Sequence, residues 1–101
     1  MSNEVKELLS LVTYHMNIIA TGFCHEFPSV TRKGDTDDWT YTNVQIYYDE
    51  QNVICLETIT FSRIEPDDQV KVTFHKTIKD ALESALSMYP ELIHSKAQSP
   101  A

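Results

Sequence analysis

Six side chains in this 101-residue sequence are of the types that ligate soft metals or serve as nucleophile and base: His15, Cys24, His25, Cys55, His75 and His94. Zinc sites draw their ligands at short paired spacings, and none of those spacings occurs among the six. Cys24 and His25 are neighbours, and neighbours on a strand point to opposite faces, so they do not converge on one ion. A thiol nucleophile needs an adjacent base and a depressed pKa, and the pairing on offer is Cys24 or Cys55 with His75. Cys55 lies between Ile54 and Leu56, which makes it a small packing residue before it is a reactive one. Asp35-Thr36-Asp37-Asp38 begins like a calcium loop, yet Trp39 and Thr40 stand where the loop needs an oxygen ligand and a glycine. With only 2 glycines in the chain, the glycine-dependent nucleotide loops are excluded as well. The expectation is a protein that is not an enzyme and that needs no metal or cofactor.

Charge narrows the partners. Fifteen Asp and Glu against eight Lys and Arg leave −7 at pH 7, which repels a phosphate backbone and favours basic partners, so direct nucleic-acid binding is not expected. Residues 35–68 concentrate this charge: Asp35, Asp37, Asp38, Asp49, Glu50, Glu57, Glu65, Asp67 and Asp68 face Arg63 alone, nine against one, a balance of −8. Solvated turns between strands account for such a run, and an acidic contact surface is its sharper form. Two cysteines are fewer than small secreted domains usually carry. MSNEVKELLSL lacks the basic start and unbroken apolar run of a signal peptide, and no apolar stretch reaches spanning length. A cytoplasmic protein without membrane contact is expected.

The elements that must position these residues follow from periodicity. Hydrophobic residues at 42% and charged residues at 23% suit one globular core, here a single domain over 1–94 with a frayed tail at 95–101. Val5, Leu8, Leu9, Val12, Met16 and Ile19 fall on one face of a predicted helix from Ser2 to Ala20, capped by Ser2 or Asn3 and closed by Gly22. A second row, Leu11, Tyr14 and Ile18, lies about 100° around the same helix. It packs on the second helix or makes a two-fold dimer contact. Residues 23–31 read as an edge strand, because Pro28 has no N–H to donate. A turn at Lys33-Gly34-Asp35 leads to a strand over Trp39–Tyr48, a turn over 49–52, a strand over 53–62 and a turn over 65–69. In strand 53–62, Ile54 and Leu56 share one phase while Ile59 and Phe61 share the other, which a bulge near Glu57 or Thr58 would reconcile. Val70, Val72 and Phe74 alternate with Lys71, Thr73 and His75, predicting an inward apolar face on the last strand. Thr77 and Asp80 start a second helix lined by Ile78, Ala81, Leu82, Ala85, Leu86 and Tyr89 and stopped by Pro90.

The result is a two-layer α+β domain: helix, antiparallel meander of three or four strands, helix. Its order resembles the topology of double-stranded RNA-binding domains. Those domains place a lysine cluster at the start of their second helix, where this chain has Lys76 and Lys79 alone. The resemblance is one of layers and transfers no function.

Strand 39–48 supplies the functional expectation. Thr40, Thr42, Val44, Ile46 and Tyr48 suit the helix-covered face, which turns Trp39, Tyr41, Asn43, Gln45 and Tyr47 toward solvent. Exposed Trp and Tyr bury large area at interfaces with little entropy loss, although aromatic pairs also stabilise sheets across strands. A protein-interaction domain is therefore expected, docking a basic or mixed partner on these residues together with Asp37 and Asp38. Alternative expectations are an acidic inhibitor occluding a nucleic-acid-binding protein, a homodimer, and a small-molecule binder or thiol enzyme using a cleft between sheet and helices.

Overall fold

The structure, a computed structural model, describes residues 3–17, 24–33, 39–62 and 68–93. The first apolar row forms helix α1, Asn3–Asn17, with Leu8, Val12 and Met16 buried and Val5 and Leu9 half-buried beside them. The predicted continuation through Ile18 and Ile19 to Gly22 lies outside the described residues.

Pro28 divides the expected edge strand into β1, Cys24–Glu26, and β2, Val30–Lys33. Both pair antiparallel with β3, Trp39–Tyr48, in registers that include Glu26↔Gln45 and Val30↔Thr42. Residues 27–29 therefore stand opposite only Val44 and Asn43, which is a bulge, and Phe27 N–H still donates to the Val44 carbonyl at 2.9 Å. Lys33, expected in a turn, is the last residue of β2.

Asp49 turns the chain into β4, Ile54–Ser62: its side chain accepts the N–H groups of Gln51 and Val53 at 2.8 and 2.9 Å. Asn52 adopts φ 62°, a left-handed conformation that its short polar side chain tolerates. Strand β5, Gln69–His75, completes a sheet of order β1-β3-β4-β5, with β2 along the same side of β3 as β1. Helix α2, Ile78–Met88, starts at Thr77, whose hydroxyl accepts the Asp80 N–H at 3.0 Å. After Tyr89 a single 3₁₀ turn over residues 90–93 brings Leu92 into the core.

This is an α+β fold with both helices on one face of an antiparallel sheet. Leu8, Val12 and Met16 of α1 and Ala81, Leu82 and Ala85 of α2 pack with Val44, Ile46, Ile54 and Leu56 from the sheet. Leu11 packs against the same core as a half-buried residue, so part of the second α1 row is used within the chain. Tyr14 is exposed, and Ile18 lies outside the described residues.

Two further expectations are corrected. The β3–β4 register runs without a skip from Thr40↔Ser62 to Tyr48↔Ile54, and the β4–β5 register from Ile54↔His75 to Thr60↔Gln69. There is no bulge at Glu57 or Thr58, so Ile59 and Phe61 belong to the face away from the helices. The sense of β5 is reversed too. Val70, Val72 and Phe74 are 60%, 38% and 66% exposed, while Thr73 and His75 are half-buried on the helix side. Antiparallel partners share a face, and Ile54 and Leu56, held in the core, stand opposite His75 and Thr73.

Candidate functional site

The face away from the helices is a grid set by cross-strand pairing. One row runs Cys24, Tyr47, Cys55, Phe74 and the next runs Glu26, Gln45, Glu57, Val72. Asn43, Ile59 and Val70 form a third row, Thr31, Tyr41 and Phe61 a fourth, and Lys33 with Trp39 closes the end. Trp39, Tyr41 and Asn43 are exposed, and Gln45 and Tyr47 are half-buried, so all five strand residues expected on this face are on it. Lys33 Nζ lies 6.0 Å from the centre of the Trp39 ring. Asp37 and Asp38 lie outside the described residues.

Glu57 organises the middle of the grid. Gln45 Nε2 donates to its Oε2 at 2.5 Å, and the Tyr47 hydroxyl donates to its Oε1 at 3.2 Å. Partial burial, reinforced by this carboxylate, pushes the Tyr47 hydroxyl up to about 12. Cys24 Sγ contacts Gln45 Oε1 at 3.8 Å and Glu26 Oε1 at 3.9 Å. The polar centre is thus a small acidic network ringed by Ile59, Phe61, Val70, Val72, Phe74 and the β3 aromatics. Beside it the bulge opens a depression of about 540 Å³ bordered by Glu26, Pro28, Asn43, Gln45 and Glu57. Ser29 Oγ and Asn43 Oδ1 are hydrogen-bonded there.

The suggested thiol and histidine pairing does not form. Cys55 shares its row with Phe74 on the open face, whereas His75 is turned to the helix side, with its Nε2 2.8 Å from Thr73 Oγ1 and its Nδ1 2.7 Å from Asp80 Oδ2. Strand β3 separates Cys24 from Cys55, and both thiols are free. Burial raises both thiol pKa values, with Glu26 and Glu57 adding to the rise at Cys24 and Asp49 and Glu57 at Cys55. Both thiols are held in the protonated, less nucleophilic form.

Cys24 and His25 occupy opposite faces, as strand alternation requires. His25 is buried under α1, its Nδ1 2.7 Å from His15 Nδ1 and its ring stacked on that of His15 at 4.9 Å. Burial, aided by His15, lowers its pKa to about 4. Among the described residues, no three His, Cys, Asp or Glu side chains gather in a way that would hold a metal ion. Nor is any described helix long and apolar enough to cross a membrane.

Glu57 and the apolar β5 residues are the members that strand-by-strand reasoning missed. The available signal was the phase change between Leu56 and Ile59, which here means a strand apolar on both faces rather than a bulged one. Comparison with protein-family models, with curated protein sequences and with solved structures finds no match.

Proposed function

We propose that this protein is an interaction domain that docks a protein partner on its open sheet face. The observation that carries the proposal is the exposure of Val70, Val72 and Phe74 in continuity with Tyr41 and Trp39 around the Glu57 network. Contiguous apolar surface of this kind is costly to leave in water and marks sites of association. Each such side chain contributes roughly 1.5–3 kcal/mol when fully buried.

The chemistry of the face selects the partner. A ring of apolar and aromatic side chains around Glu57 and Glu26 suits a protein surface carrying apolar residues and one or two Lys or Arg side chains. The net charge of −7 steers such a partner toward the domain. Two free thiols suit a reducing compartment, so a cytoplasmic site of action belongs to the proposal. Catalysis does not.

Capture from native lysate tests it with four baits: wild type, a Trp39→Ala, Tyr41→Ala, Tyr47→Ala variant, a Val72→Glu, Phe74→Glu variant, and Tyr14→Ala. Partners that bind wild type are expected to be lost by both variants and kept by Tyr14→Ala on the helix layer. Indistinguishable partner sets across all four baits would overturn the proposal.

A further inference from the structure

Strand β5 is the last in the sheet order, and it pairs with β4 along one side only among the described residues. Its other side presents backbone N–H and C=O groups in a row, the template for adding another strand. Most proteins blunt such an edge, and Lys71 is the single charged side chain within this one. The residues of β5 and its flanks read Asp68-Gln-Val-Lys-Val-Thr-Phe-His-Lys76. That segment is self-complementary about Val72. Val70 and Phe74 stand two residues to either side of it, and Asp68 and Lys76, of opposite charge and both exposed, stand four residues to either side.

We propose that two copies of this chain associate by pairing β5 with β5 antiparallel across a two-fold axis at Val72. In that register Val70 faces Phe74 of the second copy, Lys71 faces Thr73, and Asp68 faces Lys76, and symmetry makes each of these contacts twice. Faces are preserved only when the axis passes through a residue, because partners in a ladder must point to the same side of the sheet. The neighbouring registers are worse. An axis at Lys71 sets that lysine against itself and Asp68 against Phe74. An axis at Thr73 sets Val70 against Lys76 and leaves Asp68 without an opposite charge. The Val72 register alone pairs apolar with apolar and anion with cation along the open-face row, and such cross-strand pairs are individually stabilising. It also joins the two open faces into one surface, with Val70, Val72 and Phe74 continuing across the seam. This association uses the edge of the sheet and stands apart from the docking of a partner on its face.

A charge exchange tests the register on the whole chain. Wild type is measured by sedimentation equilibrium up to millimolar concentration, alongside Asp68→Lys, Lys76→Asp and the double variant. Both side chains are exposed, so the fold is expected to survive, and circular dichroism checks this. Each single variant places like charges opposite one another at both ends of the seam and is expected to weaken dimerisation about ten-fold. The double variant restores opposite pairing and is expected to return to the wild-type affinity. A wild-type chain that stays monomeric at millimolar concentration would overturn the proposal. So would a dimer that neither single substitution weakens, or one that the double variant fails to restore.

Discussion

Phe74 stands directly across from Cys55 in the β4–β5 ladder, yet Phe74 is 66% exposed while Cys55 is 1% exposed. The two belong to one face of the sheet, the face away from α1 and α2. Cys55 lies in β4, which has a strand on each side, whereas among the described residues Phe74, in β5 at the end of the sheet order, has a strand on one side only. The pair shows how an apolar residue of β5 can sit in a well-formed sheet and still meet water.

Stability measurements check the orientation of β5 first. Phe74→Ala is expected to cost less than about 1 kcal/mol, because the ring is already largely solvated. Leu56→Ala, at a core position 1% exposed, is expected to cost about 2–5 kcal/mol. Urea denaturation of both variants decides the matter: a larger loss for Phe74→Ala than for Leu56→Ala would mean that the strand is turned the other way.

Tyr47 reports on the acidic network. Its hydroxyl is pushed up to about 12, burial contributing most and Glu57 next. Glu57→Gln is expected to bring the phenol back toward its ordinary value of 10.0 without reaching it, since burial remains. The folded state holds this proton more tightly than the unfolded chain, so the associated stability is present below pH 10 and is lost as pH rises toward 12. Ultraviolet titration of phenolate absorbance in the two proteins measures the change.

Acid acts on His25. With its pKa lowered from 6.5 to about 4, the folded state binds fewer protons than the unfolded chain between those values. The stability contributed by the neutral ring is therefore complete above pH 6.5 and is lost as pH falls through 4. Unfolding within this window is expected to take up close to one additional proton, and His25→Leu to remove that uptake. Denaturation midpoints across the window reveal it as a flattened slope.

Arg32 ties the edge strand to the end of α2. It donates to both oxygens of Glu91 at 2.7 and 2.8 Å and to the Met88 carbonyl at 3.1 Å, and its guanidinium lies 4.8 Å from the centre of the Tyr89 ring. These side chains are about half exposed, so Arg32→Ala is expected to cost only about 1 kcal/mol, less at high salt. Arg32→Lys is expected to recover part of that loss, because an ammonium cannot reproduce the two-pronged contact. Thermal melts at low and high salt separate the ionic part from the rest.

Much of this architecture is legible in residue order. The 3.6-residue spacing of Leu8, Val12 and Met16 and of Ile78, Ala81, Leu82 and Ala85 identifies both helices and their buried sides. Thr77 and Asp80 mark the start of α2, Pro28 marks an edge, and the alternation in Trp39–Tyr48 separates that strand's two faces correctly. Residues of the Glu57 network were individually visible, but their convergence was not, since it depends on which residue of β4 stands opposite Gln45. The pairing of Arg32 with Glu91, 59 positions apart, has no local signal at all.

What the linear chain determined by itself is the set of elements, their order and the period within each, because sterics, capping and side-chain alternation act over a few neighbouring residues. What only the tertiary structure decided is the direction in which an alternating strand faces. Val70, Val72 and Phe74 would satisfy a helix-covered face as readily as an open one when β5 is considered alone. The strand took its sense from β4, whose Ile54 and Leu56 are committed to the core and whose ladder obliges His75 and Thr73 to share their side. A sheet transmits that choice from strand to strand through its hydrogen-bond register, and no property of β5 by itself can overrule it.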